Sequence, residues 1–297
     1  MAFAGVVLIH VSDLGGPLAI WGDTLGRFAV PMFFIVGGYF MNRAQPVMRG
    51  AMRYSERLLP LYAFWVLLYL VIYAAWPVSL RDWAMLIIKG GRGNHLWFIP
   101  SLWLCLITSL LLVRILGLAS ATAIAVAIYL IGLAIGSYAP FTGLEQSLWN
   151  PRDGLTFGLL LVLIGCQLRK NAVTLRSAYA ILLFAFCSAL HLLEFAIVRQ
   201  YHPRYTEFFI TTPLLAISAF LMVKSWNASS PTVQVMARLG RFSLGYYAIH
   251  MIFVNLCKNI LPQGLAGWAP SIPIVIFISI ATTLLLSKIK PLKRFLQ

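Results

Sequence analysis

The sequence predicts an all-α fold: a polytopic transmembrane helix bundle of about ten spans with both termini cytoplasmic. Three observations predict it: the apolar composition, the spacing of the apolar windows, and the placement of the charges. Of the 297 residues, 61% are hydrophobic and 10% are charged, and the mean hydropathy is +0.86. Soluble domains carry roughly 25% charged residues. A chain this apolar cannot cover itself with polar surface, so lipid has to be its solvent.

A spanning helix needs about 20 mostly apolar residues. The windows that approach this run roughly over 1–12, 24–42, 58–76, 95–116, 119–138, 154–168, 177–198, 206–223, 240–261 and 271–288. Turn chemistry falls between them: Pro77, the Gly90-Gly91-Arg92-Gly93 run, Pro140, Pro151, Pro203, Pro231, Pro262 and Pro270. Nothing reads as a soluble domain, a repeat or a low-complexity linker, so residues 1–297 read as a single membrane domain.

The net charge of +15 raises the idea of a nucleic-acid partner, but topology explains it without one. With the N-terminus inside, the cytoplasmic segments hold the Arg43–Arg57 arginines, Arg114, Arg169, Lys170, Arg176, Lys224, Arg238, Arg241 and the Lys288–Arg294 tail. Arg27, Arg81, Lys89, Arg92, Arg152, Arg199, Arg204 and Lys258 fall outside, with every acid except Glu56. That asymmetry is the positive-inside pattern. The four cysteines, Cys105, Cys166, Cys187 and Cys257, lie in apolar segments with no paired spacing and read as buried free thiols. No metal site is expected.

The first window is short: twelve residues rise about 18 Å, against roughly 30 Å of hydrocarbon. Either it runs on to Ile20 past Asp13 and the glycines, or residues precede Met1, which fits the window better.

Polar side chains in apolar helices are costly and mark candidate sites. His10 sits in the first window, and Asp13, three positions on, shares its helical face and could orient the imidazole. A histidine that only bonds a neighbouring helix has the same appearance. Arg27 opens the Arg27–Tyr39 stretch, where Gly37 and Gly38 permit close backbone approach, as often for packing as for a ligand. His95 and Trp97 lie in Asn94-His95-Leu96-Trp97, which as interfacial anchors would carry no chemistry. Ser243–His250 brings a further intramembrane histidine, His250. Arg53 and Arg57, one turn apart at the cytoplasmic mouth of the third window, suit an anion, although insertion topology also puts arginines there.

Taken in order, these segments resemble the integral-membrane acyltransferase family 3, and within it the O-acetyltransferases of surface polysaccharides and enterobacterial common antigen. The resemblance runs from His10 through Arg27–Tyr39, Arg57-Leu58-Leu59-Pro60, His95-Leu96-Trp97-Phe98 and Ser243–His250. It implies a bacterial inner-membrane enzyme that takes an acyl group from acetyl-CoA or another acyl-CoA and passes it to a hydroxyl of a glycan or lipid-linked saccharide. His10 would be the base or acyl carrier, with Asp13 and Arg27 beside it. Arg53 and Arg57 would hold the coenzyme A phosphates, and His95, Trp97 and His250 would meet the acceptor. Two departures stand out. The family's basic residue before the first histidine would precede Met1, and its Ser-Gly-Tyr is Gly37-Gly38-Tyr39 here. A proton-coupled secondary transporter and a non-catalytic protein on the same scaffold are the rival readings.

Overall fold

A computed structural model describes residues 1–16, 19–74, 76–91, 93–144, 150–201 and 208–296. Arg92, Pro203 and Arg204, named above for turns and charge, lie outside the described residues. Every regular element among the described residues is helical. In order these are α1 (Ala2–Val11), α2 (Ala19–Gly26), α3 (Ala29–Tyr39), α4 (Val47–Tyr73), α5 (Leu80–Lys89), α6 (Phe98–Ile135), α7 (Ala139–Thr142), α8 (Leu155–Lys170), α9 (Ser177–Tyr201), α10 (Thr212–Lys224), α11 (Pro231–Gly240), α12 (Ser243–Ile260), α13 (Leu265–Leu286) and α14 (Lys290–Lys293). Each of the ten apolar windows meets a helix. Among the described residues, five helical stretches are long and apolar enough to cross a membrane: Ala19–Tyr39, Val47–Tyr73, Asn94–Ile135, Ser177–Tyr201 and Leu265–Leu286.

Boundaries follow local chemistry. The expected break between the fourth and fifth windows is Gly117, whose φ of 77° interrupts α6 in a region glycine enters freely. Two helices lie where loops were expected. In α5, Ser79 and Asp82 form a reciprocal capping box, and Gly90 closes the helix at φ 79°. Ser79's hydroxyl and the nearby backbone N–H groups hold the Asp82 carboxyl below its usual range. In α11, Pro231 occupies the first turn. Both are short and amphipathic, so a search for long apolar windows passes over them. Helix α13 starts at Leu265 and carries Pro270 and Pro273 inside it, although Pro270 reads as a break in the sequence.

The chain divides into two compact units, one of Met1–Ala29, Pro60–Leu96 and Trp226–Gln297, the other of Val30–Leu59 and Trp97–Ser225. In the first, Phe3, Val7, Val11 and Leu14 of the N-terminal segment pack with Tyr246, Val254 and Cys257 of α12 and Val275 of α13. Helices α1 and α2 touch backbone to backbone: a methyl on Gly26 would lie 2.5 Å from the Gly5 carbonyl oxygen. One face of α4 carries Tyr62, Trp65, Tyr69 and Tyr73, spaced at helical intervals, and each polar tip finds a partner. Tyr62 donates to the Leu86 and Ile87 carbonyls, Trp65 to that of Phe295 and Tyr69 to that of Ala248, while Tyr73 accepts from Asn255.

In the second unit α8 is buried along most of its length. It crosses α3 where a methyl on Gly38 would meet the Val162 carbonyl oxygen at 1.8 Å, and one on Gly165 the Ile35 oxygen at 2.1 Å. Gly38 therefore serves packing. Glu194 of α9 accepts from the backbone N–H groups of Ile210 and Thr211, from the Thr211 hydroxyl and from Tyr138, and so caps the start of α10. All four cysteines are buried and free.

Backbone contact at Gly38 predicts that Gly38→Ala lowers stability by roughly 1–3 kcal/mol through overpacking. Gly240, with nothing within 4 Å of its virtual methyl, should tolerate alanine. Apparent Tm in detergent compares the two variants.

Candidate functional site

Three of the sequence-predicted residues converge in the first unit. On α1, His10 continues the core-facing stripe of Phe3, Val7, Val11 and Leu14, because positions three, four and seven apart share a face. On α12, His250 follows Tyr246 by one turn and precedes Val254 by another. His95 lies in the 3-10 turn Asn94–Trp97. That turn is set by the glycine run before it, where Gly93 N–H donates to the Gly90 carbonyl and Leu96 N–H to that of Gly93. The rings of His10 and His250 are 5.1 Å apart between centroids, those of His95 and His250 5.0 Å, and those of His10 and His95 6.3 Å.

His95 and His250 are buried, whereas His10 is half-buried and is the accessible member of the three. Backbone carbonyls fix how the inner two rings are protonated. His95 Nε2 is 3.0 Å from the Ala248 oxygen, and His250 Nδ1 is 2.5 Å from the Tyr247 oxygen. A carbonyl only accepts, so each of these nitrogens carries the hydrogen. A second proton would bury a charge with no carboxylate among the described residues bonded to either ring, which is costly. The other nitrogens, His95 Nδ1 and His250 Nε2, are therefore bare lone pairs, and neither has a hydrogen-bond partner among the described residues.

Tyrosines hold this arrangement. The Ala248 carbonyl accepts from Tyr69 at 2.9 Å as well as from His95, and the Tyr247 hydroxyl donates to the His95 carbonyl. Phe3 sets an edge against His250, with centroids 6.0 Å apart. Gly245 allows the chain end to reach the first turn of α12, its N–H donating to the Leu296 carbonyl at 3.2 Å. Tyr69 and Tyr247 were not marked as site residues in the sequence. The signal available for Tyr247 was its place three residues before His250.

Other predicted residues are placed differently. Asp13 belongs to the 3-10 turn Ser12–Leu14 that follows α1. Its carboxylate is 2.6 Å from Lys258 Nζ, and its side chain is 75% exposed. The expected Asp13–His10 pairing is thus replaced by an ion pair to α12, because the tighter turn rotates Asp13 off the face of His10. Arg27 closes α2 with an ion pair to Asp23 at 2.9 Å, and α2 lies against α1 at Ile9, where a methyl on Gly26 would meet the Ile9 side chain at 3.0 Å. Trp97, Arg53 and Arg57 belong to the second unit. The Trp97 ring carries the Arg152 guanidinium at 5.1 Å, and Arg53 and Arg57 are exposed on α4. No group of three or more His, Cys, Asp or Glu side chains among the described residues could hold a metal ion.

A profile of the acyltransferase-domain family, acyltransferase family 3, matches residues 1–288. The chain belongs to that family. It is also similar to two curated proteins. An amino-acid racemase of Enterococcus faecalis is 23% identical over 261 residues, which covers 80% of this chain and 37% of that protein. A serine/alanine racemase of Enterococcus gallinarum is 25% identical over 253 residues, covering 76% of this chain and 35% of that protein. The matched stretch thus spans little more than a third of these relatives. No solved structure matches.

Removing the Tyr69 or Tyr247 hydroxyl takes a donor from a buried carbonyl, so Tyr69→Phe and Tyr247→Phe should each cost about 1–2 kcal/mol. Asp13→Asn breaks a solvated pair and should cost less than about 1 kcal/mol. Thermal midpoints of the purified variants order the three.

Proposed function

We propose that this chain is a membrane-embedded O-acyltransferase of the bacterial inner membrane. It would move an acyl group, taken to be acetyl, from a coenzyme A thioester to a hydroxyl of a cell-surface or lipid-linked glycan. The observation that carries this reading is the half-buried His10, backed by two buried imidazoles, in a chain matched by an acyltransferase family over residues 1–288. Acyl transfer to an alcohol needs a group that removes the hydroxyl proton and later returns a proton to the leaving thiolate. A neutral imidazole does both near neutral pH, and an acyl-imidazole intermediate uses the same nitrogen.

The remaining assignments belong to the same proposal. Arg27, tethered by Asp23, supplies positive charge near the end of α1. His95 and His250 shape the acceptor side. Arg53 and Arg57, exposed one turn apart, suit the phosphates of the donor, because guanidinium forks bind phosphate oxygens in pairs. Trp97 would offer a stacking face to the acceptor. The racemase names attach to chains of which little more than a third is matched, and they leave the acyl-transfer reading in place.

His10→Ala should lower acyl transfer by about 10²–10⁴-fold while the protein still inserts and purifies. Activity within about threefold of wild type would remove His10 from the mechanism. For the donor, Arg57→Lys keeps the charge and loses the fork, so the KM for acyl-CoA should rise with little change in that for the acceptor. Steady-state kinetics with both substrates varied measures this, and an unchanged donor KM in Arg57→Ala would leave the arginines as topology determinants.

A further inference from the structure

In the second unit, basic side chains gather around Tyr39, the last residue of α3. The close crossing of α3 and α8 at Gly38 and Gly165 sets the ends of these helices side by side. The Tyr39 carbonyl accepts from Arg169 Nη1, in the last turn of α8, at 3.2 Å. The ammonium of Lys224, which ends α10, lies 5.1 Å from the centre of the Tyr39 ring and donates to the Val173 carbonyl at 2.7 Å. One turn before Arg169, Cys166 donates to the Gly38 carbonyl and lies within electrostatic reach of Arg43 and Arg169. Tyr54 of α4 is in the same reach of Cys166, Arg53 and Arg57.

Part of this charge serves the fold, because carbonyls at helix C-termini favour cations. That role takes one hydrogen bond each from Arg169 and Lys224, whereas a guanidinium carries five N–H donors and an ammonium three. Insertion topology places basic residues on one side of a membrane, but it does not hold them around one ring. Like charges brought together repel. The described ion pairs join other residues, so no carboxylate among the described residues pairs with Arg43, Arg169 or Lys224. Arg169 is exposed and the other two are half-buried, so a ligand reaches all three from outside the bundle.

We propose that Arg43, Arg169 and Lys224 form a phosphate-binding site at the ends of α3, α8 and α10. Guanidinium forks bind phosphate oxygens in pairs, and the ammonium adds a point charge. Phosphate of this kind has two sources, the nucleotide end of coenzyme A and the headgroup of an anionic lipid. The first extends the Arg53–Arg57 pair and rests on the acyl-transfer reading; the second holds without it.

Binding to the full chain in nanodiscs distinguishes them. In phosphatidylcholine discs, titration uses coenzyme A and pantetheine, which lacks the phosphates. If the nucleotide end is the ligand, Arg43→Gln should weaken coenzyme A by about fivefold, the triple variant with Arg169→Gln and Lys224→Gln should weaken it further, and pantetheine should be unaffected. If the headgroup is the ligand, wild type in discs containing phosphatidylglycerol should retain that lipid above its bulk share on extraction, and both variants should lose the excess. Folded variants that match wild type in both measurements would overturn the site and leave these cations as helix caps. Coenzyme A binding that is lost only in Arg53→Gln and Arg57→Gln, with no phosphatidylglycerol excess in wild type, would overturn it while the donor reading stands. Should the triple variant fail to fold, Arg43→Gln decides alone, because Arg43 takes no part in the carbonyl bonds.

Discussion

Hydrocarbon offers no hydrogen bonds, so each polar group in an apolar helix has to be satisfied by another part of the protein. That constraint organises the first unit. The tyrosine and tryptophan tips on α4 reach α5, the chain end and α12, each presenting an apolar body to the core and one polar atom to a carbonyl or hydroxyl. The Ala248 carbonyl receives both Tyr69 and His95, so one acceptor on α12 fixes α4 and the turn that carries His95. In the second unit Glu194 obeys the same rule, its two oxygens taking up the N–H groups that open α10.

The lone pairs of His95 and His250 matter for where they lie. Their nitrogens are two of several buried polar atoms without a hydrogen-bond partner among the described residues, and they lie on adjacent rings, next to the one histidine of the cluster that is half-exposed. Carbonyls pin the protonated nitrogens of the inner rings, so both bare nitrogens are fixed in position before any ligand arrives. Catalytic sites gain from such preorganisation because no reorientation is needed during reaction. The family match gives the chemistry a class, and the ring cluster is the location proposed for it.

Much of this was legible in the sequence. The stripe Phe3, Val7, His10, Val11, Leu14 placed His10 toward the core, and Gly117 marked the division of α6. The capping signals of α5 and α11, Ser79 with Asp82 and Ser230 before Pro231, were present too, but in segments too short and too polar for a search by spanning length. Asp13 misled because three-residue spacing shares a face only within a continuous helix, and α1 ends at Val11. Its partner Lys258 lies 245 positions away, and the bond from His95 to Ala248 crosses 153 positions. Contacts of that range leave no local pattern, so the convergence of the three histidines is knowledge the fold alone supplies.

We propose that this chain cleaves a thioester and delivers the acyl group to a glycan hydroxyl. The most direct measurement uses purified wild-type protein in bilayers, acetyl-labelled acetyl-CoA, and membrane glycan extract supplied as acceptor. Free coenzyme A should be released in step with label appearing as base-labile ester on the glycan. Intact acetyl-CoA after prolonged incubation, with protein that remains folded and with acceptor present, would contradict it.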